Sequence, residues 1–148
     1  YKLFKEKNKI CIDAKIRPKS INIITHPYPG FPTDMQPIIT VLTMIAKGSS
    51  IITENIFENR FKYVNELKRM GAKADIKSNS VIVKGIRKFH SNQVTSTDLR
   101  GGMAMVLAGL NARGKTKINN ADYILRGYEK LDIKLKALGA NIEIKEGE

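Results

Sequence analysis

The chain has 148 residues, of which 42% are apolar, enough to fill the core of one domain and too many for a disordered tail. No apolar run approaches the ~20 residues that span a bilayer, and the single cysteine, Cys11, excludes an internal disulfide and favours a reducing, cytoplasmic setting. The formal charge of +12 suits a partner of nucleic acid or anionic small molecules, but the lysines are scattered with few aromatics between them. The stripe of a phosphate-tracking surface is missing, so neither nucleic acid nor a membrane is expected as a partner.

In chain order the first element is a hairpin, YKLFKEKNKICIDA (1–14), with Asn8 in its turn. Cys11 stands between two isoleucines of its alternating strand, the setting of a packed or edge thiol. A strand INIIT (21–25) leads into THPYPGFPTDMQP (25–37), whose four prolines fix φ and remove backbone donors. A helix is predicted from Met35, with Thr33 as its cap, Asp34 in its first turn, and Met35, Ile38, Leu42 and Ile45 on its apolar face. Strand SIITE (50–54), a helix burying Val64, Leu67 and Met70, and strands AKADI (72–76) and SVIVK (80–84) follow. The pattern then restarts with strand NQVTS (92–96) and a helix carrying Leu99, Met103, Val106, Leu107 and Leu110. It continues through strand TKIN (116–119), a helix with Tyr128, Leu131, Leu135 and Leu138 inward, and strand NIEIK (141–145).

The restart is an internal repeat. ELKRMGAKADIKSNSVIVKG (66–85) returns as KLKALGANIEIKEGE (134–148), and AKGSSIITENIFENR (46–60) matches ARGKTKINNADYILR (112–126). These pairs align Gly48 with Gly114, Arg60 with Arg126, and Gly71 with Gly139, the last two reading as helix-ending caps that need positive φ. PTDMQ pairs with STDLR, setting Asp34 against Asp98, with Thr33 and Thr97 as cap candidates. Each unit reads strand, helix, strand, helix, strand, strand. Residues 1–14 match 72–85, so the chain is expected to open in mid-unit, one residue after a capping glycine, as part of something longer. The seven residues HPYPGFP have no counterpart before Asp98. A repeat that only had to fold would not need them, which makes Asp34 the first candidate site residue.

PGFPTDMQ, TENIFENRF, TDLR, RGYEKL and LGANIE together resemble the carboxyl-terminal part of the UDP-N-acetylglucosamine 1-carboxyvinyltransferases. The resemblance runs along essentially the whole chain. The related 5-enolpyruvylshikimate-3-phosphate synthases share the repeat but not the PGFPTDMQ and ENRF wording. It implies an α/β fold, the inside-out α/β barrel of the enolpyruvate transferases, here two repeated units plus the last hairpin of a preceding one. Residues 1–148 would then be the C-terminal part of one such domain, with Glu148 near the natural end and no complete second domain. The implied reaction moves enolpyruvyl from phosphoenolpyruvate to the 3-hydroxyl of UDP-N-acetylglucosamine and releases phosphate, in the bacterial cytoplasm, opening peptidoglycan synthesis. It requires no metal or organic cofactor; likewise His26 and His90 have no His, Cys or acidic partner at ligand spacing.

Carried over residue by residue, the resemblance makes Asp34 a contact of the sugar nucleotide and the base for its hydroxyl. Ile56 and Arg60 join it on the sugar nucleotide. Asp98 lies by the reacting carbon, and Arg100 and Arg126 bind phosphoenolpyruvate, whose carboxylate and phosphate suit guanidinium forks. The chain departs from the family at Tyr123 and Leu125, where a His and an Asp are usual, and at Gly101 and Gly102, where alanine is common. The family's lysine–asparagine pair and its mobile cysteine loop have no match here, and Cys11 is not that cysteine. The chain alone is therefore expected to be inactive, needing the N-terminal domain of the same protein as partner. The alternatives are a non-catalytic module of the same fold that binds anions or nucleic acid, and a relative of the shikimate-pathway enzyme.

Overall fold

A computed structural model describes residues 2–145. The chain opens with a hairpin of β1 (Lys2–Glu6) and β2 (Lys9–Asp13), Glu6 facing Lys9 across the Lys7–Asn8 turn. Leu3, Phe4, Ile10 and Ile12 on it are all exposed, and Cys11 is half-buried opposite Phe4. The first repeat then runs β3 (Ile23–Ile24), α1 (Gln36–Met44), β4 (Ser49–Thr53), α2 (Lys62–Arg69), β5 (Lys73–Lys77) and β6 (Ser80–Lys84). The second runs β7 (Gln93–Thr95), α3 (Leu99–Asn111), β8 (Lys117–Asn119), α4 (Asp122–Leu125) and α5 (Leu131–Ala137).

The sheet of the first repeat has the order β3-β4-β6-β5, with β3 parallel to β4 and the other neighbours antiparallel. Its period-two alternation puts Ser50, Ile52, Val81 and Val83 inward, fully covered, and leaves Ile51 and Ile82 on the outer face. β7 and β8 form the matching parallel pair of the second repeat. The helices lie on the inner side: α1 packs on α3, and α2 on α3. α3 is consequently buried from Gly101 through Val106, on every side. Helices inside and sheets outside is the inside-out arrangement expected. One core joins Val41, Met44, Ile52, Tyr63, Leu67, Met70, Val81, Phe89 and Met105, and a second joins Met103, Val106, Ile124 and Leu131.

The repeat is visible in the backbone. Gly48, Gly71, Gly114 and Gly139 all have positive φ, between 90° and 110°, so the aligned pairs share one left-handed joint. Val64 and Leu67 of α2, with Met70 behind them, are fully covered, as their spacing predicts.

Several expectations are corrected, among them Leu110, which is exposed on α3. α1 does not bury Met35 and Leu42, which are exposed; its inward stripe is Gln36, Pro37, Thr40, Val41 and Met44. Polar residues can occupy that stripe because they satisfy one another: Tyr63 Oη donates to Gln36 Oε1 at 3.3 Å, and Thr40 Oγ1 to the Gln36 carbonyl at 2.8 Å. An apolar count cannot see such a pair. Thr33 does not cap α1, since its hydroxyl donates to Glu54 Oε2 at 2.9 Å and the helix begins at Gln36 behind a short 3-10 turn. The last predicted helix is shorter than its spacing suggests: α5 starts at Leu131 with Tyr128 ahead of it and an exposed Leu138 behind it, and α4 is an additional short helix. NIEIK forms no strand within 141–145, because a strand needs a hydrogen-bonded neighbour and none of the described residues pairs with it.

Candidate functional site

Two loops and a helix end meet at Asp34. The proline-rich insertion delivers it inside the 3-10 turn Thr33–Met35, after Pro32 in extended conformation. Its side chain is 58% exposed, yet both oxygens are engaged. Oδ1 accepts from Arg60 Nη2 at 3.2 Å, and Oδ2 from Arg100 Nη2 at 2.8 Å. The hydrogen bond from Arg100 holds this carboxyl below the ordinary carboxylate range; burial opposes it as the next-largest influence, and the charges of both arginines add to the lowering. Arg100 is raised in turn, first by Asp34 and then by the Tyr128 hydroxyl, which accepts from its Nη1 at 3.1 Å.

The arginines differ in setting. Arg60 is 92% buried, by its 8% exposure, stacks on the Phe57 ring at 4.9 Å, and leaves Nε without a protein partner. Arg100 is half-buried at the start of α3 and stands 5.7 Å from the Tyr128 ring centroid. A solvent-facing carboxylate locked between one buried and one accessible guanidinium is an anion site that already holds its own anion.

Asp98 is placed differently. Extended at φ −166°, it caps α3: Oδ1 accepts from the backbone N–H of Arg100 at 3.0 Å and of Gly101 at 2.9 Å, and Oδ2 from the Thr97 hydroxyl at 3.0 Å. The cap is thus Asp98 itself and not Thr97. The glycine that follows is needed here, because a Cβ on Gly101 would lie 2.8 Å from both Asp98 Oδ2 and Tyr63 Cβ. On Gly102 a Cβ would strike Ser96 Oγ and Ile124.

Of the six candidates, the structure joins Asp34, Arg60 and Arg100 in one hydrogen-bonded group. Ile56 is exposed on the loop that carries Arg60, its N–H donating to Glu54 Oε1 at 2.9 Å. Arg126 is exposed behind α4, 5.2 Å over the Tyr123 ring, and makes no ion pair among the described residues. Gly127 next to it packs on Leu99 at the start of α3. The same loop, Glu54–Lys62, lines an open groove of about 690 Å³ with Asn65, Ile76, Ser78 and Asn79. Sequence reasoning missed Tyr128, Phe57 and Glu54. For Glu54 a signal existed: it is a charge at a strand end, where the second repeat has Asn120.

No helix among the described residues is long and apolar enough to cross a membrane, and no three His, Cys, Asp or Glu residues cluster as metal ligands there.

Comparison with known proteins bears on the whole arrangement. The family described as EPSP synthase (3-phosphoshikimate 1-carboxyvinyltransferase) matches residues 3–135. A UDP-N-acetylglucosamine 1-carboxyvinyltransferase of Buchnera aphidicola subsp. Baizongia pistaciae is 52% identical over 136 residues, 91% of this chain and 33% of that protein. One from Escherichia coli O1:K1 / APEC is 52% identical over 132 residues, 89% of this chain and 32% of its own length. The chain thus spans about a third of the curated relatives it matches. Among solved structures, the enolpyruvyl transferase NikO from Streptomyces tendae superimposes with a TM-score of 0.75 at 30% identity, over 86% of this chain and 29% of NikO. EPSP synthase from Acinetobacter baumannii shares the fold, with a TM-score of 0.68 at 20% identity over 74% of this chain and 27% of that one. The inside-out α/β units, the repeated joints and the matched span lead to one conclusion: the chain belongs to the EPSP synthase family, with the inside-out α/β barrel fold of the enolpyruvyl transferases.

Proposed function

We propose that this chain is the C-terminal part of one domain of a transferase that moves enolpyruvyl from phosphoenolpyruvate to the 3-hydroxyl of UDP-N-acetylglucosamine, releasing phosphate. The observation that carries the reading is the Arg60–Asp34–Arg100 group, built on an insertion found in only one of two otherwise matched repeats. The relatives' names support the substrate, since the matches at 52% identity are UDP-N-acetylglucosamine 1-carboxyvinyltransferases.

The chemistry needs a base for the sugar hydroxyl, a proton given to the methylene carbon on addition and one taken from it again as phosphate leaves, and cations for the phosphate and carboxylate of phosphoenolpyruvate. Asp34, ionised through its two arginines, is the base, and proline-fixed backbone holds it in place. Paired as it stands it is a weak base. An incoming phosphoenolpyruvate competes for Arg100, and surrendering that hydrogen bond removes the largest influence that keeps Asp34 acidic. Loading of the second substrate and activation of the base are then one event. Arg126 supplies the second guanidinium, and Ile56 and Arg60 border the sugar nucleotide. Asp98 serves the reacting region by capping α3 and so fixing where Arg100 begins. The remaining two thirds of the relatives' length provides the other wall of the cleft and the proton donor, so this chain alone is inactive.

The test is phosphate release by the whole protein from phosphoenolpyruvate, with UDP-N-acetylglucosamine or shikimate 3-phosphate as acceptor. Release that depends on the sugar nucleotide supports the proposal. Release only with shikimate 3-phosphate, or with neither, overturns it.

A further inference from the structure

We infer that Glu54 is a positioning residue, the carboxylate that sets Asp34 and the Arg60 loop relative to one another; the inference rests on the transferase reading above. Glu54 directly follows β4 and is only 4% exposed. Its two oxygens take four donors. Oε1 accepts from the Thr25 hydroxyl at 2.7 Å and from the N–H groups of Ile56 at 2.9 Å and Phe57 at 3.0 Å. Oε2 accepts from the Thr33 hydroxyl at 2.9 Å. Thr25, itself fully buried, receives the Asn55 N–H at 2.9 Å, which closes the turn on its other side.

One side chain thereby holds both halves of the site. Through Thr33 it fixes the residue preceding Asp34. Through Ile56 and Phe57 it fixes the first turn of the loop whose Phe57 ring lies under Arg60, and Arg60 returns to Asp34 and to the Thr33 carbonyl at 3.4 Å. The circuit from Glu54 through Thr33 and Asp34 to Arg60 and back through Phe57 is closed. Four donors converging on one group call for an ionised carboxylate, which only accepts; an amide would turn its own N–H bonds toward one of them. A buried carboxylate is costly where an apolar residue would close a corner as well, so its use here points to placement of the loop.

The second repeat is an internal control. Backbone bonds from Thr25 to Thr53 and from Ser96 to Asn119 are equivalent, so Glu54 is matched by Asn120. Asn120 is left-handed at φ 56° and leads into α4, with no insertion to hold. The acid is present only in the repeat that has the insertion.

The experiment uses the whole protein with UDP-N-acetylglucosamine and phosphoenolpyruvate, and compares Glu54→Gln, Glu54→Ala and Thr33→Val. Melting temperature, kcat, KM for each substrate, and hydrogen exchange at the Ile56 and Phe57 amides are measured. Glu54→Gln is expected to stay folded, to lose about tenfold in kcat/KM for the sugar nucleotide, and to exchange those amides about tenfold faster. Glu54→Ala should be worse in both, so that the amide variant is a partial rescue. Thr33→Val should lower kcat while leaving the two amides protected, a split that general destabilisation would not give. Wild-type kinetics in Glu54→Gln, or losses that only follow the unfolded fraction, would overturn the inference. If the wild-type protein releases no phosphate, the transferase reading falls; accelerated exchange in Glu54→Gln then still upholds the clamp, and unchanged exchange overturns it.

Discussion

Asp34 and Asp98 stand at the same point of two copies of one pattern, PTDMQ and STDLR, and the fold uses them for different work. Asp98 spends its carboxylate on the backbone at the start of α3 and on Thr97. Asp34 touches no helix N–H, and both its oxygens face arginines from other parts of the chain. The cause lies upstream. In the second repeat the strand runs straight into an extended Asp98, the geometry of a helix cap. In the first, the proline-rich insertion ends in a 3-10 turn that contains Asp34, so the helix starts two residues later and the carboxylate is released from capping. Duplicated sequence gives a duplicated helix; where seven residues are inserted, the aspartate pairs with two arginines and not with the helix start.

The sharpest way to break this contrast is a matched pair of amide substitutions in the whole protein. Asp34→Asn should cut turnover by roughly 10²-fold or more, the range general-base removal costs, with little change in melting temperature. Asp98→Asn should be far milder, because asparagine caps as well as aspartate. Equal losses from the two would erase the distinction.

Arg100→Ala comes next. Losing a charged hydrogen-bonding partner costs about 1.5–3 kcal/mol, so use of phosphoenolpyruvate should fall about tenfold or more while sugar-nucleotide binding persists. Arg126→Ala should act in the same direction, measured as kcat/KM for phosphoenolpyruvate. A fall in melting temperature without that kinetic loss would return either arginine to a structural role.

A smaller effect separates capping from catalysis. Asp98→Ala should lower stability by about 0.5–2 kcal/mol, read from denaturant unfolding, whereas Asp34→Ala should leave α1 intact because Asp34 bonds none of its N–H groups.

The smallest concerns acid. Arg100 and Arg60 lower the Asp34 carboxyl below its ordinary 3.8, so the folded value lies under the unfolded one. The pair's contribution to stability is then complete above the unfolded value and is lost as pH falls through the folded one. The melting-temperature difference between wild type and Asp34→Asn should be constant from neutral pH down to the ordinary carboxylate value and close below it. Because Asp34 is itself more than half exposed, solvent screening should keep that difference small. In Arg100→Ala the closure should move to higher pH.

Much of the fold could be read in advance because its determinants are local. Alternation placed β4 and β6, helical spacing placed Val64 and Leu67, and glycines aligned between repeats marked the left-handed joints at Gly71 and Gly139; Gly48 and Gly114, aligned in sequence, prove left-handed as well. The six candidate residues came from the resemblance, with the insertion singling out Asp34. Where local pattern failed, a distant partner decided. Gln36 and Thr40 are inside α1 because they bond each other and Tyr63, which lies on another helix. Thr33 serves Glu54 and not its own helix. NIEIK alternates like a strand but forms none, since pairing needs a second strand and none of the described residues supplies it.

The sequence by itself determined the repeat, the alternation of buried and exposed positions, and the stiff approach to Asp34, because each depends on residues a few positions apart. Tertiary structure alone decided that Asp34 would meet Arg100, 66 residues away, along with Arg60 and, through Glu54, the loop that carries it. A charged group is assigned its partner by where the packed elements leave it, and a 2.8 Å contact is made or missed by the angle at which one helix starts.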